Sequence, residues 1–170
     1  MDGSRGETRI SVVLCDDVAE MRALPRYTLE DDPAVRVVGE AENGLDGARM
    51  VAELQPDVVL LDLAMPEMDG LEAIPEIASS SPRTGIIVFS GFAADRMSKS
   101  ALGSGADRYI EKGAPLDTVI STVHEVAESR RGGGGGGGGD PSGPVDRRAA
   151  VWRPWPGTAP GRWSPGFRAG

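Results

Sequence analysis

The stretch Pro56-Asp57-Val58-Val59-Leu60-Leu61-Asp62 decides the fold. From Asp57 to Leu61 it reads as a strand, and its apolar run lacks the polar alternation of a half-exposed strand. Such a segment belongs in the middle of a parallel sheet, covered on both faces. It stops at a carboxylate, Asp62.

Outward from that strand the same unit recurs. On the N-terminal side, Ile10 to Leu14 is a β-branched run leading to Asp16-Asp17, and Val35 to Gly39 is a second strand. Between them Val18 to Leu29 reads as a helix with Met21, Leu24 and Thr28 inward, and with a kink expected at Pro25. Leu45 to Leu54 is the next helix, spaced by Leu45, Ala48, Val51 and Ala52. On the C-terminal side follow a helix over Leu71 to Ala78, a strand over Gly85 to Phe89, a helix over Ala94 to Leu102 and a strand over Asp107 to Ile110. Pro115 opens a last helix lined by Val119, Val123 and Val126. Five strand–helix units predict an α/β fold, a doubly wound parallel sheet with helices on both faces. In such sheets ligands bind at the carboxyl ends of the strands.

Composition sets the outer limits. Of the 170 residues, 26 are acidic and 18 are Lys or Arg, for a net charge of -8. That balance offers no electrostatic footprint for nucleic acid, so no specific binding to it is expected. One cysteine, Cys15, excludes an intrachain disulfide. No apolar run approaches the roughly 18 residues of a membrane span, and Met1 to Arg9 lacks a signal peptide's apolar core. A cytoplasmic chain without membrane contact is expected. Composition breaks at Gly132, where eight glycines begin, followed by recurrent Pro and the chain's three Trp residues. The expected organisation is a short flexible start over 1–8, one domain over 9–131, and a disordered Gly/Pro-rich tail over 132–170. The tail carries five Arg and two Asp. A frameshifted remnant, standing where an output domain once followed, is a further reading of it.

The strand ends bring particular side chains together. The first offers Asp16 and Asp17, the third Asp62, the fourth Ser90, and Lys112 follows the fifth. With the first and third strands adjacent, about 5 Å apart, three carboxylates converge. Such a cluster repels itself and raises its own pKa values unless a hard cation joins it. Mg²⁺ suits a few carboxylates plus water and a phosphate. Lys112 supplies a point charge and Ser90 a hydrogen bond to phosphoryl oxygens. The set points to phosphoryl transfer, with Asp62, which ends the central strand alone, as nucleophile and Asp16 and Asp17 as metal holders. Taken singly, each residue has a plainer reading: the acidic pair as a helix cap or turn, Ser90 as a turn residue, Lys112 as a solvated side chain, Cys15 as buried and inert, and His124 as an ordinary surface residue.

The sequence resembles the receiver domain of two-component response regulators, a CheY-like superfamily. The marks stand in order: Val13-Leu14-Cys15-Asp16-Asp17, Pro56 to Asp62, Met65-Pro66-Glu67-Met68-Asp69-Gly70, Ile86 to Gly91, and Gly105 to Lys112. The resemblance implies the strand order 2-1-3-4-5. It implies Asp62 as phosphoacceptor, Mg²⁺ held by Asp16, Asp17, Asp62 and the main-chain carbonyl of Ala64, and Ser90 and Lys112 as phosphoryl contacts. It also implies a switch through Ser90 and Tyr109. A histidine kinase would be the donor. An output protein or a second copy of the chain would read the face made by the fourth helix, fifth strand and last helix. Three positions depart from the common pattern: Gly113 stands where proline often follows the lysine, and Ala64 and Phe92, which in this family tune phosphoryl lifetime, are both apolar. Two other functions stay open. A transcription regulator would need a DNA-binding unit after Arg131. A Mg²⁺-dependent phosphohydrolase would need a second carboxylate just after Asp62, where Leu63 and Ala64 stand.

Overall fold

A computed structural model describes residues 8–132. The elements alternate without exception: β1 (Ile10–Cys15), α1 (Ala19–Glu30), β2 (Val35–Ala41), α2 (Gly44–Leu54), β3 (Val58–Leu61), α3 (Gly70–Ser80), β4 (Gly85–Ser90), α4 (Ala94–Ser104), β5 (Arg108–Glu111) and α5 (Leu116–Gly132). All strand pairs are parallel, in the order β2-β1-β3-β4-β5. The doubly wound sheet and its order are as the sequence and the resemblance imply. The organisation expected for 1–7 and 133–170 lies outside the described residues.

The sheet's two faces sort the apolar strands residue by residue. Val13, Cys15, Val59, Leu61, Ile86 and Val88 face one way, onto Ala48 and Val51 of α2, Ala73, Ile74 and Ile77 of α3, and Ala101 of α4. Val12, Leu14, Val58, Leu60, Ile87 and Phe89 face the other, onto Leu29 of α1 and Val119, Val123, Val126 and Ala127 of α5. This period-2 sorting, hidden in a run such as Val58–Leu61, is what a centrally placed strand requires. α4 ends at Gly105, whose φ of 120° suits glycine and no other residue.

Several local expectations need correction. In α1 the buried positions are Pro25 and Leu29, while Leu24 is exposed. The helix spans Pro25 without interruption. Pro25 lines a small cavity with Leu14, Met21, Leu60 and Phe89, and is buried where a Leu24-centred stripe was expected. In α2 Gly44 and Gly47 join Ala48 and Val51 on the buried face, and Ala52 is exposed. Small residues there let α2 approach the sheet closely, and Cys15 packs where a side chain on Gly47 would lie. His124 is not a free surface residue: its Nε2 lies 2.7 Å from Asp32 Oδ2, tying α5 to the turn before β2.

Candidate functional site

The register builds the site. Cys15 and Leu61 are partners across β1 and β3, and the next residue of each strand is an aspartate. The Asp62 amide donates to the Cys15 carbonyl at 2.8 Å, and the Asp16 amide to Ala41 at 3.0 Å. Asp16 and Asp62 are therefore held side by side at the carboxyl edge of the sheet, each only 4% exposed. Asp17, beyond the strand, is exposed. One carboxylate oxygen from each of Asp16, Asp17 and Asp62 lies within 4.8 Å of the others. On the far side, Ser90 pairs with Glu111 across β4 and β5, and the Lys112 amide donates to the Ser90 carbonyl at 2.8 Å. This brings the Lys112 ammonium to Asp62 at 3.1 Å and into contact with Asp16.

Electrostatics follow from that geometry. Burial pushes the Asp62 carboxyl above its usual range; Lys112 opposes the shift, and Asp16 adds to it. One ammonium among three carboxylates leaves a deficit of positive charge. The donor set is all hard oxygen, partly buried and short of compensation, which fits a small divalent cation. Asp16 Oδ1 accepts from the Val18 amide at 2.9 Å, and Asp62 Oδ1 from Leu63 at 2.8 Å. Asp16 thus makes a turn over Val18, while Val18, at the start of α1, has no side-chain cap, so the turn reading of the acidic pair holds for Asp16 and the cap reading does not. Cys15 is 2% exposed, and burial pushes its thiol up to about 12, with Asp16 adding to the shift.

Of the other expected residues, Ser90 is fully buried at the end of β4, and its Oγ accepts from the Phe92 amide at 3.3 Å. Tyr109 is buried, and its hydroxyl donates to the Phe92 carbonyl at 2.8 Å. Both side chains therefore hold the main chain of one residue in the β4–α4 loop, Ser90 through the peptide before Phe92 and Tyr109 through the peptide after it, although the Phe92 side chain is exposed. Burial pushes the Tyr109 phenol up as well, with Glu111 and Asp62 adding to the shift. Ala64 is exposed in the loop after Asp62. No cis peptide occurs among the described residues, including the bond before Gly113.

Three contributors escape the sequence reading. Glu111 accepts the Ala94 amide at 2.6 Å and so supplies the cap that Ala93, at the start of α4, cannot. Gly70 opens α3 hard against the backbone of Asp62 and Leu63. Arg22 donates to the Asp16 carbonyl at 2.6 Å. None of these carries a local signal, because each partner is distant in sequence or is a main-chain atom.

Comparison with known proteins agrees with this picture. The pattern of the response regulator receiver domain matches residues 12–124. The chemotaxis protein CheY of Listeria monocytogenes is 34% identical over 119 residues, covering 70% of this chain and 99% of that one. A protein-glutamate methylesterase/protein-glutamine glutaminase of Alkalilimnicola ehrlichii is 36% identical over 166 residues. That match takes in 91% of this chain, so it runs beyond Gly132, but only 42% of the relative. The chain thus spans less than half the length of this methylesterase relative. Among solved structures, the signal receiver domain of the Mycobacterium tuberculosis response regulator NarL superposes with a TM-score of 0.67 at 29% identity, covering 71% of this chain and 97% of that one. With its sheet order, its strand-end aspartates and these matches, the chain belongs to the response regulator receiver domain family of two-component signalling.

Proposed function

We propose that this chain is a phosphoacceptor module that takes a phosphoryl group on Asp62 from a histidine kinase. The observation that carries the reading is the Lys112 ammonium bridging two buried aspartates at the end of the central strand. In the reaction an Asp62 carboxylate oxygen bonds to phosphorus while the P–N bond of the donor phosphohistidine breaks, and the imidazole leaves. Asp16, Asp17, Asp62 and the Ala64 carbonyl would hold Mg²⁺, which would supply positive charge to the phosphoryl oxygens. Lys112 does the same from the other side, and Ser90 donates a hydrogen bond to the remaining oxygen. Leu63 and Ala64 offer no acid–base carboxylate, so turnover as a phosphohydrolase is not part of the reading.

The switch follows from the shared grip on Phe92. Turning the Ser90 hydroxyl toward a phosphoryl group releases the Phe92 amide, and the loop held by Tyr109 repacks. The surface of α4, β5 and α5 then changes its affinity for an output protein or a second copy of the chain. The setting is cytoplasmic; no described helix is long and apolar enough to cross a membrane.

Acetyl phosphate with Mg²⁺ should add one phosphoryl group to the wild type and none to Asp62→Asn, read by intact mass. Asp17→Ala should stay folded and label poorly. Equal labelling of wild type and Asp62→Asn, or unchanged labelling in EDTA, would overturn the assignment.

A second reading, a receiver that governs a methylesterase-type output, is favoured by the match that runs past Gly132. Methanol release from methylated glutamyl peptides by the phosphorylated chain would support it. The first reading expects none.

A further inference from the structure

Arg22 sits one turn into α1 and reaches back to the acidic pair. Its side chain is 11% exposed, a deep position for a guanidinium. Nη1 donates to the Asp16 carbonyl at 2.6 Å and Nη2 to Glu42 at 3.1 Å. Nε lies 3.7 Å from Glu40, too far for a hydrogen bond, and is buried without a partner. Glu40 is paired in turn with Arg26. Edge strand β2 supplies Glu40, and Glu42 follows its last residue, because Leu14 and Cys15 stand beside Glu40 and Ala41.

The Asp16 main chain is thus held from two sides. Its amide donates to Ala41, and its carbonyl accepts from Arg22. That carbonyl belongs to the peptide plane joining Asp16 to Asp17. Rotation of this plane would swing Asp17, which has no strand partner, away from Asp16 and Asp62. A guanidinium that merely balanced Glu42, itself 74% exposed at the side chain, could do so in solvent. Burying it with Nε unsatisfied is unfavourable, and the neutral carbonyl it reaches is the one beside the cation ligands.

We propose that Arg22 is a positioning residue for the divalent cation: it locks the Asp16–Asp17 peptide plane, while Glu40 and Glu42 lock Arg22. The inference rests on the metal reading given above. Coulomb's law alone has the opposite sign, since a cation near the acidic cluster repels Mg²⁺ and its removal should tighten binding. Glu40 and Glu42 neutralise that field, and the positioning effect prevails.

The test is a Mg²⁺ titration of the full chain followed by amide NMR shifts of Asp16 to Val18 and Leu63. Arg22→Met should weaken Mg²⁺ binding about tenfold, the scale of losses seen when groups that orient metal ligands are removed. Arg22→Lys keeps the charge but not the fork, and should fall between wild type and Arg22→Met. Labelling by acetyl phosphate should be slow at low Mg²⁺ in both variants and should recover as Mg²⁺ is raised. If Arg22→Met does not fold, Arg22→Lys carries the test. Unchanged or tighter Mg²⁺ binding in a folded variant overturns the proposal, as does labelling that stays slow at saturating Mg²⁺. A wild type that binds no Mg²⁺, or an Asp17→Ala that binds it equally well, overturns the metal reading and this proposal with it.

Discussion

Asp62 shows the cost of burying a carboxylate at a strand end. Its carboxyl is pushed above the ordinary value by burial. Between the two values the folded chain holds a proton that the unfolded chain has released. Stability therefore falls as pH rises through that window, and near neutrality Asp62 destabilises the fold. Asp62→Asn should melt higher than wild type in EDTA, by roughly 1 kcal/mol or about 4 °C. Calorimetry with excess Mg²⁺ should shrink the gap, since the ligand stabilises wild type by mass action. A lower Tm for Asp62→Asn in EDTA would contradict the electrostatic account. Cys15 offers a simpler check. With its thiol pushed up to about 12 and 2% exposed, it should resist alkylation by N-ethylmaleimide at pH 8 until the chain is unfolded. Rapid native modification, read by mass, would show that β1 opens locally.

At the scale of elements, the start of α3 is the sensitive joint. A Cβ on Gly70 would meet the Asp62 and Leu63 backbone, which cannot yield without moving the Asp62 carboxylate. Gly70→Ala should cost about 1–3 kcal/mol and slow phosphorylation. Gly103, within α4, has nothing near its missing Cβ, so Gly103→Ala should stabilise by about 0.5–1 kcal/mol and leave labelling unchanged. Urea unfolding of both variants checks the contrast; equal effects would mean that the close approach at Gly70 is unimportant. The loop between β4 and α4 is the second joint. Hydrogen exchange with and without beryllofluoride should differ most from Ala94 to Tyr109, because Ser90 holds the Phe92 amide and Tyr109 the Phe92 carbonyl. An unchanged exchange pattern there would remove the basis for the switch.

Across the whole molecule, the two apolar clusters run from Ile10 to Ala127 and close on both faces of the sheet. The end of α5 is pinned at the edge of the sheet opposite the site. Arg131 meets Asp57 at 2.9 Å and the Thr8 and Arg9 carbonyls, and Arg130 meets Asp107 at 2.7 Å. Burial pushes the Asp57 carboxyl up, but hydrogen bonds from Arg131 and Ser11 outweigh it and hold it below the usual carboxylate range. The stability from this clasp is present above the unfolded carboxylate value and is lost as pH falls through the depressed folded value. A chain ending after Gly132 keeps both clusters and the clasp. It should fold with the same Tm and be labelled by acetyl phosphate at the full-length rate; a drop in either would show that 133–170 contributes to the domain.

Sequence by itself determined the sheet, its parallel winding and the identity of the strand-end side chains, because an apolar run without alternation has few places to go and five carboxyl ends converge on one edge. It misjudged the inner faces of α1 and α2. Leu24 and Ala52 match a helical stripe as well as Pro25 and Gly47 do, and only packing chose between them. Tertiary structure alone decided which neutral atoms hold the aspartates in place. The Asp16 carbonyl that Arg22 grips, the Phe92 amide and carbonyl held by Ser90 and Tyr109, and the Asp62 backbone against Gly70 are main-chain partners, and every residue carries those groups alike. Residue type records which side chain can do chemistry; which backbone atom restrains it depends on register and approach, and these exist only once the chain has folded.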